Sequence, residues 1–374
     1  MALSITLAGC TIFTPLQKSK FITVKQLITT HKYNEAKGLI DDLVSGKRSS
    51  KWPETWYYKG LLCQSAHQEG VRRNERSLQE LYPDQLFLAF ESYEKARKLS
   101  NTNRFNNKVR AQYTRLINDL QRLGTLSFNQ RNFRIAQRTF ELALNLNESK
   151  LLSIAIDTNL LYNAAIAAFE NRRMDNAIVH LKRLDNMRHS DNVSHLLFSA
   201  MLSQGDSLGG KIGLERSIQV FPQSDRLVLL LADYYLGKQN PTGAIETLDR
   251  AIARQDSPSY TLLNAKGLVF QNFSQYQKAI ELFEDLTVRF PEQADPYVSL
   301  ATCYYNMGVE IDEMARTITN ITQFQAKREN ALENYRKALQ WIEKALVKKP
   351  KDTENQLFAE RLKRLTGISN NNHH

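Results

Sequence analysis

Cysteine is nearly absent. The three present, Cys10, Cys63 and Cys303, are odd in number and widely spaced, which excludes a disulfide framework and a cysteine zinc site. Proline and glycine are sparse, nine and fifteen in 374 residues, so long loops are few. Alternating strand-like runs are missing. Beyond the first residues, no stretch approaches the roughly 18 consecutive apolar residues of a membrane-spanning helix. Catalytic signatures are missing as well. GxSxG does not occur, and His180, His189 and His195 have spacings that match no metal motif such as HExxH. The stretch Gly205–Ile212, GDSLGGKI, approaches the phosphate loop GxxxxGK[ST]. Ile212 stands where a hydroxyl must hold magnesium, and no apolar strand precedes it. No catalytic residue, metal ligand, cofactor or small-molecule substrate is expected.

Helix formers dominate, and 42% apolar residues suffice for a continuous core. The formal charge of +11 is uneven. Between positions 104 and 138 stand eight bases (Arg104, Lys108, Arg110, Arg115, Arg122, Arg131, Arg134 and Arg138) against one acid, Asp119. This basic patch is the electrostatic candidate for an acidic partner.

The most regular stretch is Tyr260–Pro291. Leu263, Gly267 and Phe270 describe one helix. Ala279, Phe283 and Leu286, at i, i+4 and i+7, describe a second, which Pro291 stops. Small Gly267 and Ala279 suit a close helix crossing beside two phenylalanines. The pattern resembles the tetratricopeptide repeat, a helix–turn–helix unit of about 34 residues, with Leu286 where that family usually has alanine. The resemblance implies an all-α fold, a right-handed superhelix of about eight helix pairs closed by a C-terminal capping helix.

The resemblance covers about residues 17–365. Units one and two occupy 21–100, with an insert at 65–82 that lengthens helices or projects from one face. Units three to seven occupy 101–291, opening on an Asn-rich linker, Asn101–Asn107. Unit five, His195–Pro222, fits most loosely. Unit eight occupies 292–350 around Ala301 and Tyr335, with a helix-compatible insert at 309–333 expected to form a protruding hairpin. Residues 351–366 read as the capping helix, 11–20 as a tether and 367–374 as a disordered tail.

In the family resembled, ligands lie in the concave groove on first-helix residues. Counting from each small residue, this implies Tyr57 and Gln64; Gln121, Thr125 and Phe128; Tyr162 and Phe169; Asn264 and Gln271; and Tyr305. Aromatics and amides suit an extended protein or peptide ligand. The Lys–Arg–Asn set that clamps a C-terminal carboxylate is not among them.

Leu7-Ala8-Gly9-Cys10 resembles the lipobox of bacterial lipoproteins, with Cys10 as the lipidated residue. No basic residue precedes it, so residues 1–10 read as a shortened signal. The expectation is a lipid-anchored, non-catalytic scaffold of the cell envelope, serving assembly or transport at the outer membrane. The absence of acids just after Cys10 favours the periplasmic side by resemblance. The alternatives are a soluble cytoplasmic adaptor and a nucleic-acid-binding helical repeat.

Overall fold

A computed structural model describes residues 15–100 and 102–368. Among them the chain is all-α, with eighteen helices, one short 3-10 turn and no strand. Packing divides it between Leu184 and Asp185 into two compact units. The first holds α1 (Pro15–Thr29), α2 (Tyr33–Ser45), the 3-10 turn Ser49–Lys51, α3 (Pro53–Arg73), α4 (Arg76–Gln79), α5 (Gln85–Ser100), α6 (Asn103–Asn129), α7 (Phe133–Asn147) and α8 (Thr158–Glu170). Helix α9 (Met174–Asn186) ends just past the division. The second holds α10 (Asp191–Ser203), α11 (Ser207–Val220), α12 (Asp225–Gly237), α13 (Pro241–Ile252), α14 (Tyr260–Asn272), α15 (Tyr276–Arg289), α16 (Asp295–Ala315), α17 (Ile321–Lys348) and α18 (Thr353–Thr366).

One turn joins the two helices of six pairs, and it recurs after α3 at Asn74. His31, Arg131, Arg172, Gly205, Gln239 and Ser274 each end a first helix at φ between 54° and 85°. The following residue donates its N–H five positions back, to Leu27, Ser127, Ala168, Met201, Tyr235 and Phe270, at 2.8–3.0 Å. This left-handed cap satisfies carbonyls the ending helix leaves open and reverses the chain within three residues. Only one of the six is glycine.

The core of four pairs is a ring against a gap. A Cβ on Gly60, Gly124, Gly267 or Gly308 would lie 2.6–2.7 Å from Tyr93, Phe140, Phe283 or Tyr335. Those glycines are on first helices and the rings on second helices. In the fifth pair the order reverses. Phe198 is on α10, and a Cβ on Gly213 of α11 would lie 1.9 Å from its ring. The near-phosphate-loop stretch belongs here. Gly205 makes the turn, Asp206 caps α11 by accepting from the Gly209 N–H at 3.0 Å, and Lys211 pairs with Glu215.

The structure departs from the expectations at three places. Residues 15–20 are helix rather than tether. The Asn-rich stretch is helical from Asn103, because Phe105, Val109, Tyr113 and Leu116 recur on one face and bury; that packing outweighs the weak helix propensity of asparagine. The insert 65–82 takes the first of its two expected courses: it extends α3 and folds back as α4. Leu78, Leu81 and Tyr82 are buried, and the Gln79 amide donates to the Gly70 carbonyl at 3.0 Å. In the eighth pair the ring of Tyr335 rests on Gly308, seven residues beyond the expected Ala301. Both helices are lengthened, and all ten residues of 321–330 are exposed. Helix α18 buries Ala359 and Leu362 against α17, and Gly367 ends it at φ 72°.

Candidate functional site

The ten expected groove residues separate into four environments. On α3, Gln64 is 1% exposed and belongs to the core. Its amide donates to Asp119 Oδ2 at 2.8 Å, and its oxygen accepts from the Tyr93 hydroxyl at 2.9 Å. Gln68 donates to the same carboxylate oxygen at 2.7 Å. This network joins α3 to α6, so Gln64 cannot serve as a groove contact. Tyr57 is wedged among Tyr58, Tyr93 and Phe105, with centroids 5.4–5.9 Å apart.

On α16, Tyr305 also leaves the groove. Its ring lies 5.7 Å from Tyr335 and 5.5 Å from Phe358 of α18, beneath the Arg361 guanidinium. The capping helix covers it.

Between α6 and α8 the structure brings three expected residues together. Thr125, Phe128 and Tyr162 line a pocket of about 200 Å³ with Phe140, Asn163 and Ile166. Its wall is aromatic and aliphatic, and Phe128 is held edge-on against Phe133 at 5.2 Å. Thr125 and Asn163 supply polar groups. The volume lies below the roughly 300–1,000 Å³ of small-molecule sites and suits one inserted side chain. Gln121 lies beside it and donates to Asp157, the N-cap of α8, at 3.4 Å. Phe169 is half-buried further along α8, outside this pocket. Asn163 is not among the expected residues, although it adjoins Tyr162 on the same turn, and Phe140 serves the core as well as the pocket.

Helix α14 presents the fourth environment. Tyr260 Oη, Asn264 Oδ1 and Gln271 Oε1 are buried with no hydrogen-bond partner among the described residues. Spacings of four and seven residues put them on one face of the helix. Burial pushes the Tyr260 phenol up to about 12, with Asp295 adding to the shift. A buried oxygen without a donor costs about 1–3 kcal/mol, so this face is short of hydrogen-bond donors. Tyr260 was missed as a site residue, although it lies one turn before Asn264.

The basic patch divides similarly. Lys108, Arg110, Arg115 and Arg122 are exposed on α6, and Arg134 is exposed on α7. Arg131 is a left-handed turn residue. Arg138 pairs with Asp84 at 2.7 Å and lies 3.8 Å over Phe87, so it ties α7 to α5 rather than facing a partner. The side chain of Arg104, Cys10 and the end of the tail lie outside the described residues. Burial raises the thiols of Cys63 and Cys303 to about 12, which leaves them unreactive. No described cluster of His, Cys, Asp or Glu could hold a metal, and no described helix is long and apolar enough to cross a membrane.

Residues 229–294 match the tetratricopeptide-repeat family. The match covers units six and seven, and repeats of this family serve protein–protein interaction. No curated relative matches the chain. Among solved structures, a TPR repeats protein from Bacteroides fragilis is 18% identical, covering 67% of this chain and 98% of that one, at a TM-score of 0.33. The TPR domain of P58(IPK) is 13% identical, covering 95% and 99%, at 0.31. Human IFIT1, solved as a dimer with m7Gppp-AAAA, is 14% identical, covering 83% of this chain and 65% of that one, at 0.37. The repeat pairing rests on the turns and ring–glycine contacts above, not on these partial superpositions.

Proposed function

We propose that the chain is a non-catalytic scaffold that holds a partner protein by an extended peptide lying across α6 and α8. The pocket of Thr125, Phe128, Tyr162, Asn163 and Ile166 carries this reading. It accepts one apolar side chain, worth about 1.5–3 kcal/mol when fully buried. Micromolar affinity needs about 8 kcal/mol, so the peptide backbone must also be held. The Asn163 amide stands at the rim for that purpose, with the oxygens of Thr125 and Gln121 as acceptors, since the Thr125 hydroxyl donates to the Gln121 backbone carbonyl and the Gln121 amide to Asp157.

Peptides selected from a random library on the immobilised full chain test this. Asn163→Arg fills the pocket from a half-buried position. Selected peptides are expected to lose about tenfold or more in affinity for it, the scale of one lost anchor. Peptides that bind the variant unchanged place the site elsewhere.

The finer reading is that the scaffold is anchored to a membrane surface through Cys10 and serves envelope assembly or transport, facing the periplasm. The Leu7–Cys10 lipobox pattern supports it. Mass spectrometry of the N-terminal peptide from a bacterial host should show the acyl addition, and Cys10→Ser should release the protein from membranes. An unmodified Cys10 would leave the soluble adaptor.

A further inference from the structure

One face of α6 is open along most of the helix. Lys108, Arg115 and Arg122 recur every seven residues, with Ala111, Asn118 and Thr125 each three residues after a cation, and all six are exposed. Seven residues advance a helix by about 10.5 Å and stop about 20° short of two full turns. The three cations therefore form a nearly straight line about 21 Å long. Arg115 and Arg122 form no ion pair with a described carboxylate. Lys108 leans toward the rings of Tyr57 and Phe105, at 5.9 and 6.0 Å. The single acid of α6, Asp119, is buried against Gln64 and Gln68 and neutralises none of them. Some exposed cations elsewhere do find acids, as Arg216 finds Asp185 at 2.6 Å. The residues three after each cation are short, so another helix can approach closely. Leu126, 52% exposed, adds an apolar spot beside Arg122.

We propose that this stripe receives an acidic helix of a partner protein, with carboxylates every seven residues opposite Lys108, Arg115 and Arg122. The proposal rests on the scaffold reading but uses a stripe that shares only Thr125 with the pocket, and none of its three cations lines the pocket. The alternation of three and four residues is the spacing of two helices packed side by side. The stripe contains no aromatic residue on which a base could stack, which favours a helix over a nucleic acid. A second copy is disfavoured: the chain carries +11, and no three of its acids recur at seven-residue spacing.

The test uses the full chain and two labelled helical peptides of equal composition, followed by fluorescence anisotropy. One peptide has glutamate at every seventh position on an alanine- and leucine-containing face; the other has the same glutamates scattered around the helix. The registered peptide is expected to bind at least about tenfold tighter, and Arg115→Glu with Arg122→Glu to remove that advantage. Both arginines are exposed, so the variant's circular dichroism and melting should match the parent. Asn163→Arg should leave this binding intact, which separates it from the pocket. Equal binding of the two peptides, or no loss in the charge-reversed variant, overturns the proposal. So does a short single-stranded RNA that binds more tightly through the same two arginines.

Discussion

The pairs α14–α15 and α10–α11 solve one packing problem with opposite residues. In the first, Gly267 on the leading helix makes room for Phe283 on the following one. In the second, Phe198 leads and Gly213 follows. Each pair brings two helices close with a ring lying where a side chain is missing. What repeats along the chain is therefore a summed volume at the crossing, not a residue at a position. A repeat can drift in sequence without drifting in backbone, because close packing constrains only that sum.

Truncating the ring tests the equivalence most directly. Phe283→Ala should cost about 3–5 kcal/mol, as deleting a fully buried ring does. Phe198, 2% exposed, should cost about the same if the reversed pair does the same work. Urea unfolding gives the size, and hydrogen exchange assigns the loss to the helix pair that carries it. A Phe198→Ala cost below about 1 kcal/mol would show that α10–α11 is held by something else.

Filling the gap is the next smaller effect. Gly213→Ala places a Cβ 1.9 Å from the Phe198 ring, against 2.6 Å for Gly267→Ala and Phe283. Overpacking costs about 1–3 kcal/mol, and the fifth pair should lie at the upper end. Phe198→Leu in the same chain removes the clashing ring atoms. The two substitutions should then couple favourably by about 0.5–3 kcal/mol, read from a double-mutant cycle. Strict additivity would mean that the ring and the glycine do not share one space.

The same contrast explains what was legible in the sequence. Gly267, Ala279 and Phe283 announce their helices because they keep the family order, small before large. Phe198 and Gly213 break that order, so unit five looked loose although its helices and turn are regular. Of the expected residues, Thr125, Phe128 and Tyr162 could be placed on one side of α6 and α8 by counting along single helices, and they line one pocket. Gln64 could not, because its burial depends on Asp119, which arrives 55 residues later on another helix. Tyr305 was misplaced for a similar reason: α18 comes back over it. Counting gives a direction from one helix axis; burial depends on what else arrives there.

The turns offer the smallest test. Five of the six repeated turns hold a non-glycine residue at positive φ, and Gly205 is the exception. A residue with a Cβ pays about 1–2 kcal/mol in that conformation. Glycine there would relieve this but give the unfolded chain more freedom, which returns about 0.5–1 kcal/mol. Ser274→Gly and Arg172→Gly should therefore each stabilise by about 0.5–1 kcal/mol, visible as a raised urea midpoint with an unchanged slope. Gly205→Ala should do the reverse. A Cβ there meets nothing within 4 Å, so its cost would be backbone strain alone. If the two glycine variants lose stability instead, Arg172 and Ser274 contribute through their side chains, and the six turns share a conformation without sharing an energetic origin.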